Sequence, residues 1–175
     1  MRFQCMPAGL KASSSTVAIG FSITEPAPNT FAQVQVDLNL SPLDREVFVV
    51  QAIDLTLGAP NAVAGVDTAA AASLTTTRQT TVTDLANSNC LAVAVNQIRA
   101  GGFVDGGVGF SQTAGESPNT LLEYVGIIAT NDFFAQVLGA NNLAGVNLTG
   151  KLYGYRAQAN ADIFAALVQS EVLSA

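Results

Sequence analysis

The stretch Ala32-Gln33-Val34-Gln35-Val36-Asp37-Leu38-Asn39-Leu40 alternates an apolar side chain with a polar one at every step. Successive side chains leave a pleated backbone on opposite faces, so a period of two predicts a strand with one apolar and one polar side. It belongs to a sheet packed on one side and solvated or otherwise polar on the other. Towards the N-terminus, Val17, Ile19, Phe21 and Ile23 alternate with the small residues at 18, 20 and 22, which predicts a second strand closed by Glu25-Pro26-Ala27-Pro28-Asn29. Residues 1–16 mix Met, Pro and Gly and end in Ala12-Ser13-Ser14-Ser15-Thr16. With no hydrophobic period, they read as an N-terminal arm or loop.

Towards the C-terminus, Ser41-Pro42-Leu43-Asp44 turns the chain into residues 46–57, EVFVVQAIDLTL. The first half of that strand is apolar on both faces and requires cover from both sides. Residues 58–72 read as a loop or short helix. The Thr-rich residues 73–82 suit an exposed or edge strand. Residues 91–98 fit a strand or a helix, and the polar cap candidates at 84–89 tip the reading towards a helix. The glycine-rich residues 101–118 read as a long loop or a strand between turns. Residues 121–130, 132–138 and 146–156 supply further strands. After Asn160, a suitable N-cap, Ile163, Phe164, Leu167, Val168 and Val172 recur at helical spacing, with Asp162 near the positive end. The prediction is a helix over 161–172.

The 175 residues suit one domain, residues 17–175 including that helix. Hydrophobic residues make up 49% and charged residues only 11%, against about 25% in an average chain. That composition excludes intrinsic disorder. There is no histidine, so imidazole bases and ligands are absent. The net charge is −6, and the seven basic residues are scattered singly, so no cationic patch for phosphates is expected and no direct nucleic-acid binding. No apolar run follows Arg2 and none reaches about 18 residues, so neither a signal peptide nor a transmembrane helix is expected. Cys5 and Cys90 lack metal-pair spacing and read as small apolar residues or a disulfide.

Each candidate for chemistry has a plainer counterpart. The glycines at 101, 102, 106, 107 and 109 suggest a phosphate loop, but no Gly-Lys-Ser/Thr follows and a surface loop suffices. The carboxylate pairs Asp44/Glu46 and Glu123/Asp132 lack the dense ligand run of a calcium loop. No serine has a base. Tyr153 and Tyr155 share a strand face and offer either a stacking platform or a subunit contact. The apolar stripe Ile163, Phe164, Leu167 and Val168 packs on its own sheet or on a neighbouring subunit. No catalytic residue, metal ligand or cofactor is expected, and the chain is not expected to be an enzyme.

Seven or eight strands with one terminal helix predict an all-β fold, an antiparallel β-sandwich of jelly-roll type, with an immunoglobulin-like order as the alternative. The strand pattern of residues 32–40, 46–57 and 146–156, behind a short arm, resembles the single jelly-roll capsid proteins of viruses. The resemblance implies a self-assembling, homo-oligomeric virion shell subunit that contacts other structural subunits. The arm lacks the Arg/Lys run of small RNA-virus coats, so it is closer to shells of tailless DNA viruses. Two other functions fit the residues: an extracellular filament subunit joined by strand donation, and a carbohydrate- or receptor-binding sandwich.

Overall fold

The computed structural model describes residues 6–102, 110–115 and 122–174. These contain ten strands, β1 (Leu10–Ala12), β2 (Val17–Thr24), β3 (Ala32–Asp37), β4 (Glu46–Leu57), β5 (Thr68–Thr75), β6 (Cys90–Arg99), β7 (Phe110–Gly115), β8 (Gly126–Ile128), β9 (Asp132–Ala140) and β10 (Asn147–Ala159), and one helix, α1 (Ala161–Leu173). Every pairing is antiparallel. In the first sheet β10 is the spine: β4 runs along one side and then β8, while β2 and β1 share the other side end to end. The second sheet has the order β3-β9-β5-β6-β7.

With β1 and β7 set aside at the margins, the sheets read β2-β10-β4-β8 and β3-β9-β5-β6. Only β5 and β6 are neighbours in both sequence and space, and the other links cross from sheet to sheet. This is the jelly-roll order, not the immunoglobulin one.

The two inner faces meet in one core that includes Phe21, Phe48, Leu74, Phe133, Leu148 and Leu152. The Phe21 and Phe133 rings join the sheets edge to face, 5.6 Å apart. β3 behaves as its alternation predicts. Val34 and Val36 pack against the core, while Gln33 and Gln35 make polar contacts with Gln136 and Asp132. β4 also meets its expectation: Val47, Phe48, Val49 and Val50 are all buried, Phe48 and Val50 in the core and Val47 and Val49 beneath α1. Gln51 then forms a bulge opposite the Tyr153–Gly154 step, which brings Ile53, Leu55 and Leu57 to the inner side. At that point only glycine fits on β10, because a Cβ on Gly154 would collide with the Val49 carbonyl and the Phe48 ring.

Several local expectations are corrected. Residues 91–98 are strand, within β6, and not helix. The polar residues ahead of them close turns instead of capping a helix: Asp84 accepts from the Ala86 N–H, Asn87 Oδ1 from the Asn89 N–H and the Asn87 carbonyl from the Cys90 N–H. Freed from a cap, the Val-rich alternation takes its β conformation. The edge strand expected at 73–82 is displaced. β5 starts at Thr68, lies centrally between β9 and β6, and uses Ala70 and Ala72 as core residues, so the loop expected over 58–72 holds for residues 58–67 and gives way to strand at 68–72. Residues 76–89 instead fold over the outer side of the second sheet, where the Thr83 N–H donates to Ser73 Oγ and Gln79 N–H to Gln33 Oε1. The strand expected over 121–130 contracts to Gly126–Ile128. Within the expected arm, residues 10–12 form β1 on β10, with Leu10 buried. Cys5 and the glycines at 106, 107 and 109 lie outside the described residues.

Candidate functional site

The terminal helix forms as predicted, except that Val172 leaves the apolar stripe and is 61% exposed while Glu171 takes the inward position. Asn160 Oδ1 accepts from the Ile163 N–H at 2.8 Å, and the Asn160 N–H donates to the Gly9 carbonyl at 3.2 Å. Ile163, Phe164, Leu167 and Val168 pack on Leu10, Val47, Val49, Tyr155, Ala157 and Ala159. The stripe is therefore used on the chain's own sheet. Since Gly9 and Leu10 meet the start of α1 and the residues following β8 meet its end, the helix crosses β1, β10, β4 and β8 as a bar over one half of the first sheet.

Tyr153 and Tyr155 separate at the edge of that bar. Tyr155 is 5% exposed under the helix, where burial and then the Glu123 carboxylate push its phenol up. Tyr153 stays on the open half of the sheet, between Ala18 of β2 and Ala52 of β4. A two-tyrosine platform for a sugar does not exist. Of the six residues read as subunit contacts, Tyr153 alone lies outside the helix–sheet cluster.

Two buried glutamates that sequence reasoning passed over organise the ends of the sandwich. At one end Glu25 accepts from the N–H groups of Gly139 at 2.6 Å and Val146 at 2.8 Å. Beside it the buried Asn142 spends all its polar groups: it donates to Asn29 Oδ1 and the Ala69 carbonyl, and it accepts from the Asn29 side chain and the Asn61 N–H. Asn61 Oδ1 in turn accepts from Leu143 and Ala144. Asn29 and Asn141 both sit at φ +58, a left-handed conformation that Asn tolerates. Together these bonds hold a fixed turn that presents Leu143 at 75% exposure.

At the other end Glu171 of α1 accepts from the N–H groups of Ala129 at 2.8 Å and Thr130 at 3.0 Å, and Asn89 donates to the Glu171 carbonyl. Burial pushes the Glu171 carboxyl up against the pull of these bonds, and Asp132 adds to the rise. A signal for it was present: 164, 167, 168 and 171 continue one helical stripe, so Glu171 falls on the apolar face. At the same end the turn at residues 41–45 holds Leu43 at 94% exposure, and its Asp44 and Glu46 accept from the Ser41 hydroxyl and N–H. That carboxylate pair is a turn cap. The carboxylate facing Asp132 is Asp37, its register partner, with Gln35 donating to Asp132 at 2.6 Å.

Among the described residues no three His, Cys, Asp or Glu side chains gather as a metal site, and no helix is long and apolar enough to cross a membrane. One open recess of about 190 Å³ is lined by Thr68, Ala69, Gln97 and the ion pair of Asp67 and Arg99, 3.6 Å apart. It is smaller than the pockets of roughly 300 Å³ and more that enclose small molecules. Backbone N–H bonds from Gly101 and Ala100 hold the Asp67 carboxyl below its ordinary value. No family model matches the chain, and no curated protein is similar to it.

Proposed function

We propose that the chain is a structural, self-associating subunit of a virion shell, of the kind that encloses a tailless DNA virus. The observation that supports this best is the jelly-roll order, β2-β10-β4-β8 against β3-β9-β5-β6, in a chain with 11% charged residues. A surface so poor in charge suits contact with neighbouring protein, and fixed loop turns that present Leu43 and Leu143 suit repeated, identical contacts. The −6 balance and dispersed cations suit a shell whose genome is neutralised by another component. The test is electron microscopy of the concentrated, purified chain, alone and with the structural proteins encoded beside it. Capsomers or closed particles support the reading. A chain that remains monomeric throughout and is absent from virions overturns it.

One observation favours a second reading, a filament joined by strand donation. β1 contributes three residues to the β10 edge, and of these only Leu10 is buried. So short an element could be exchanged between copies. Removing residues 1–12 dissolves such a filament and leaves a shell subunit able to associate.

A further inference from the structure

The strands at the sheet margins differ in how well they are guarded. β1 and β8 have three residues each, β3 and β7 have six, and β3 ends in Asp37. β2 runs for eight residues, Val17–Thr24, with no charge, no proline and no register shift against β10. Charges, prolines, bulges and shortness are the devices that keep an edge strand from pairing with another chain, and β2 has none of them. Among the described residues nothing pairs with its backbone on the free side. Ile19 and Ile23 face inward yet are only half-buried, and Val17, on the same side of the strand, is 42% exposed. The segment also reads the same in both directions by chemical class. Gly20 is flanked by Ile19 and Phe21, then by the small Ala18 and Ser22, then by Val17 and Ile23, and then by Thr16 and Thr24. Turned end for end, it matches itself.

We propose that two copies of this chain join edge to edge through β2, antiparallel about a two-fold axis at Gly20, so that their first sheets run on as one. Directly opposed residues of an antiparallel pair face the same side, so on the inner side Ile19 meets Phe21 of the second copy and Val17 meets Ile23. On the outer side Ala18 meets Ser22 and Gly20 meets its own counterpart. A Cβ at Gly20 would meet nothing within 4 Å, so no side chain obstructs the approach. A shift by one residue sets inner side chains against outer ones, and a shift by two sets Val17 opposite Glu25 or Ile23 opposite Ser15. Charge does not oppose the contact, although the chain carries −6. The nearest anion along the chain, Glu25, is spent on the Gly139 and Val146 N–H groups. Lys151 and Asp54, next along the row from Gly20, are register partners of opposite sign within each copy, and the two lysines stand three strand spacings apart, about 14 Å. β3 lies under β2 with Asp37 towards the Val17 end, where Leu38 accepts from Arg156, so the two-fold carries the two Asp37 side chains to opposite ends of the contact. What selects a second copy over an unrelated strand is that it brings the same uncharged, end-for-end symmetric segment, equally open, and that a two-fold pairing closes both edges at once. The pairing gives the self-association proposed above a surface, and a dimer forms whether or not dimers close into particles.

The test is disulfide trapping on the full chain, read beside sedimentation velocity. The native chain is expected to be a dimer at about 100 μM. Gly20→Cys places two thiols on directly opposed residues, whose Cα atoms lie about 4.5–5.5 Å apart in an antiparallel pair, within disulfide reach. Mild oxidation should give a covalent dimer, with the bond mapped by mass to residue 20 of both chains. In the same register the two copies of Ser22 lie about 13 Å apart along the strands, so Ser22→Cys should not link. Val17→Lys sets a charge on the inward side of the edge. Val17 is 42% exposed in the single copy, so the variant folds, and dimerisation weakens at least about tenfold. A chain monomeric at that concentration, Gly20→Cys and Ser22→Cys that link equally, or a dimer indifferent to Val17→Lys overturns the proposal. Trapped dimers that never join into particles support it while the shell reading falls. Particles built from a chain whose Gly20→Cys form does not link overturn it and leave the shell reading standing.

Discussion

The two ends of the sandwich use the same device for different purposes. Each buries one glutamate, 5% exposed at Glu25 and 7% at Glu171, and each carboxylate accepts two backbone N–H groups from another segment. Glu25 joins loop to loop within a mesh of asparagines, where every partner is itself held. Glu171 joins a helix to the loop after β8, and it does so near another carboxylate, Asp132. The first end is a weld and the second a clasp. The difference shows that a buried carboxylate is defined by what its partners are fastened to as much as by its own hydrogen bonds.

Replacing Glu25 with Ala breaks the weld and gives the largest effect. Two buried N–H groups lose a charged acceptor, so we expect about 3–5 kcal/mol of lost stability in urea unfolding. A loss under about 1 kcal/mol would mean the asparagine mesh holds the loops unaided. Asn142→Ala removes two side-chain bonds from that mesh and is expected to cost about 2–3 kcal/mol, with faster amide exchange at Gly139 and Ala144.

Glu171→Gln tests the clasp and costs about 1 kcal/mol near neutrality, because one acceptor oxygen remains. Its sharper readout is pH. The folded Glu171 carboxyl titrates above the ordinary 4.5, so between that value and its folded value the native state holds the extra proton. Stability from this group therefore falls as pH rises through that window, and the Gln variant lacks that slope. Native and variant slopes that coincide would place the carboxylate in water. The smallest effect is at Asp67, whose carboxyl is held below 3.8: its contribution is present above that value and is lost as pH falls through the folded one. Asp67→Asn should slightly lower stability at neutral pH and flatten acid unfolding, so that variant and native chain converge at low pH.

The strands legible in the sequence were those whose partners impose one simple pattern. β3 has a core side and a polar side, so its alternation is unmixed, and the two-sided burial of residues 47–50 followed from an apolar run that no single sheet face explains. β5 was misread because its outer side is covered too. Ser73 and Thr75 look like solvent-facing residues, yet they are buried beneath residues 76–89, with hydroxyls bonded to Gln136 and the Thr77 carbonyl. A hydroxyl satisfied by a distant segment carries no local mark. The candidate site divided in the same way. The apolar stripe of α1 was visible, but its placement over Tyr155 depends on a crossing direction set by Gly9 at one end and Glu171 at the other. Turn asparagines such as Asn61 and Asn142 announced turns, and nothing local stated that those turns would meet.

The position of β10 in the chain sets a timetable. Residues 147–159 form the strand to which β1, β2 and β4 all pair, so until one of the last segments is synthesised β1 and β2 have no partner in their sheet and β4 has only the short β8. Until then the apolar sides of β2 and β4 have no sheet partner on that side. Nearly all pairings here are remote in sequence, which slows folding and prolongs the interval in which such faces can bind the wrong chain. The interval between synthesis of residue 57 and residue 147 is when protection by a chaperone matters most.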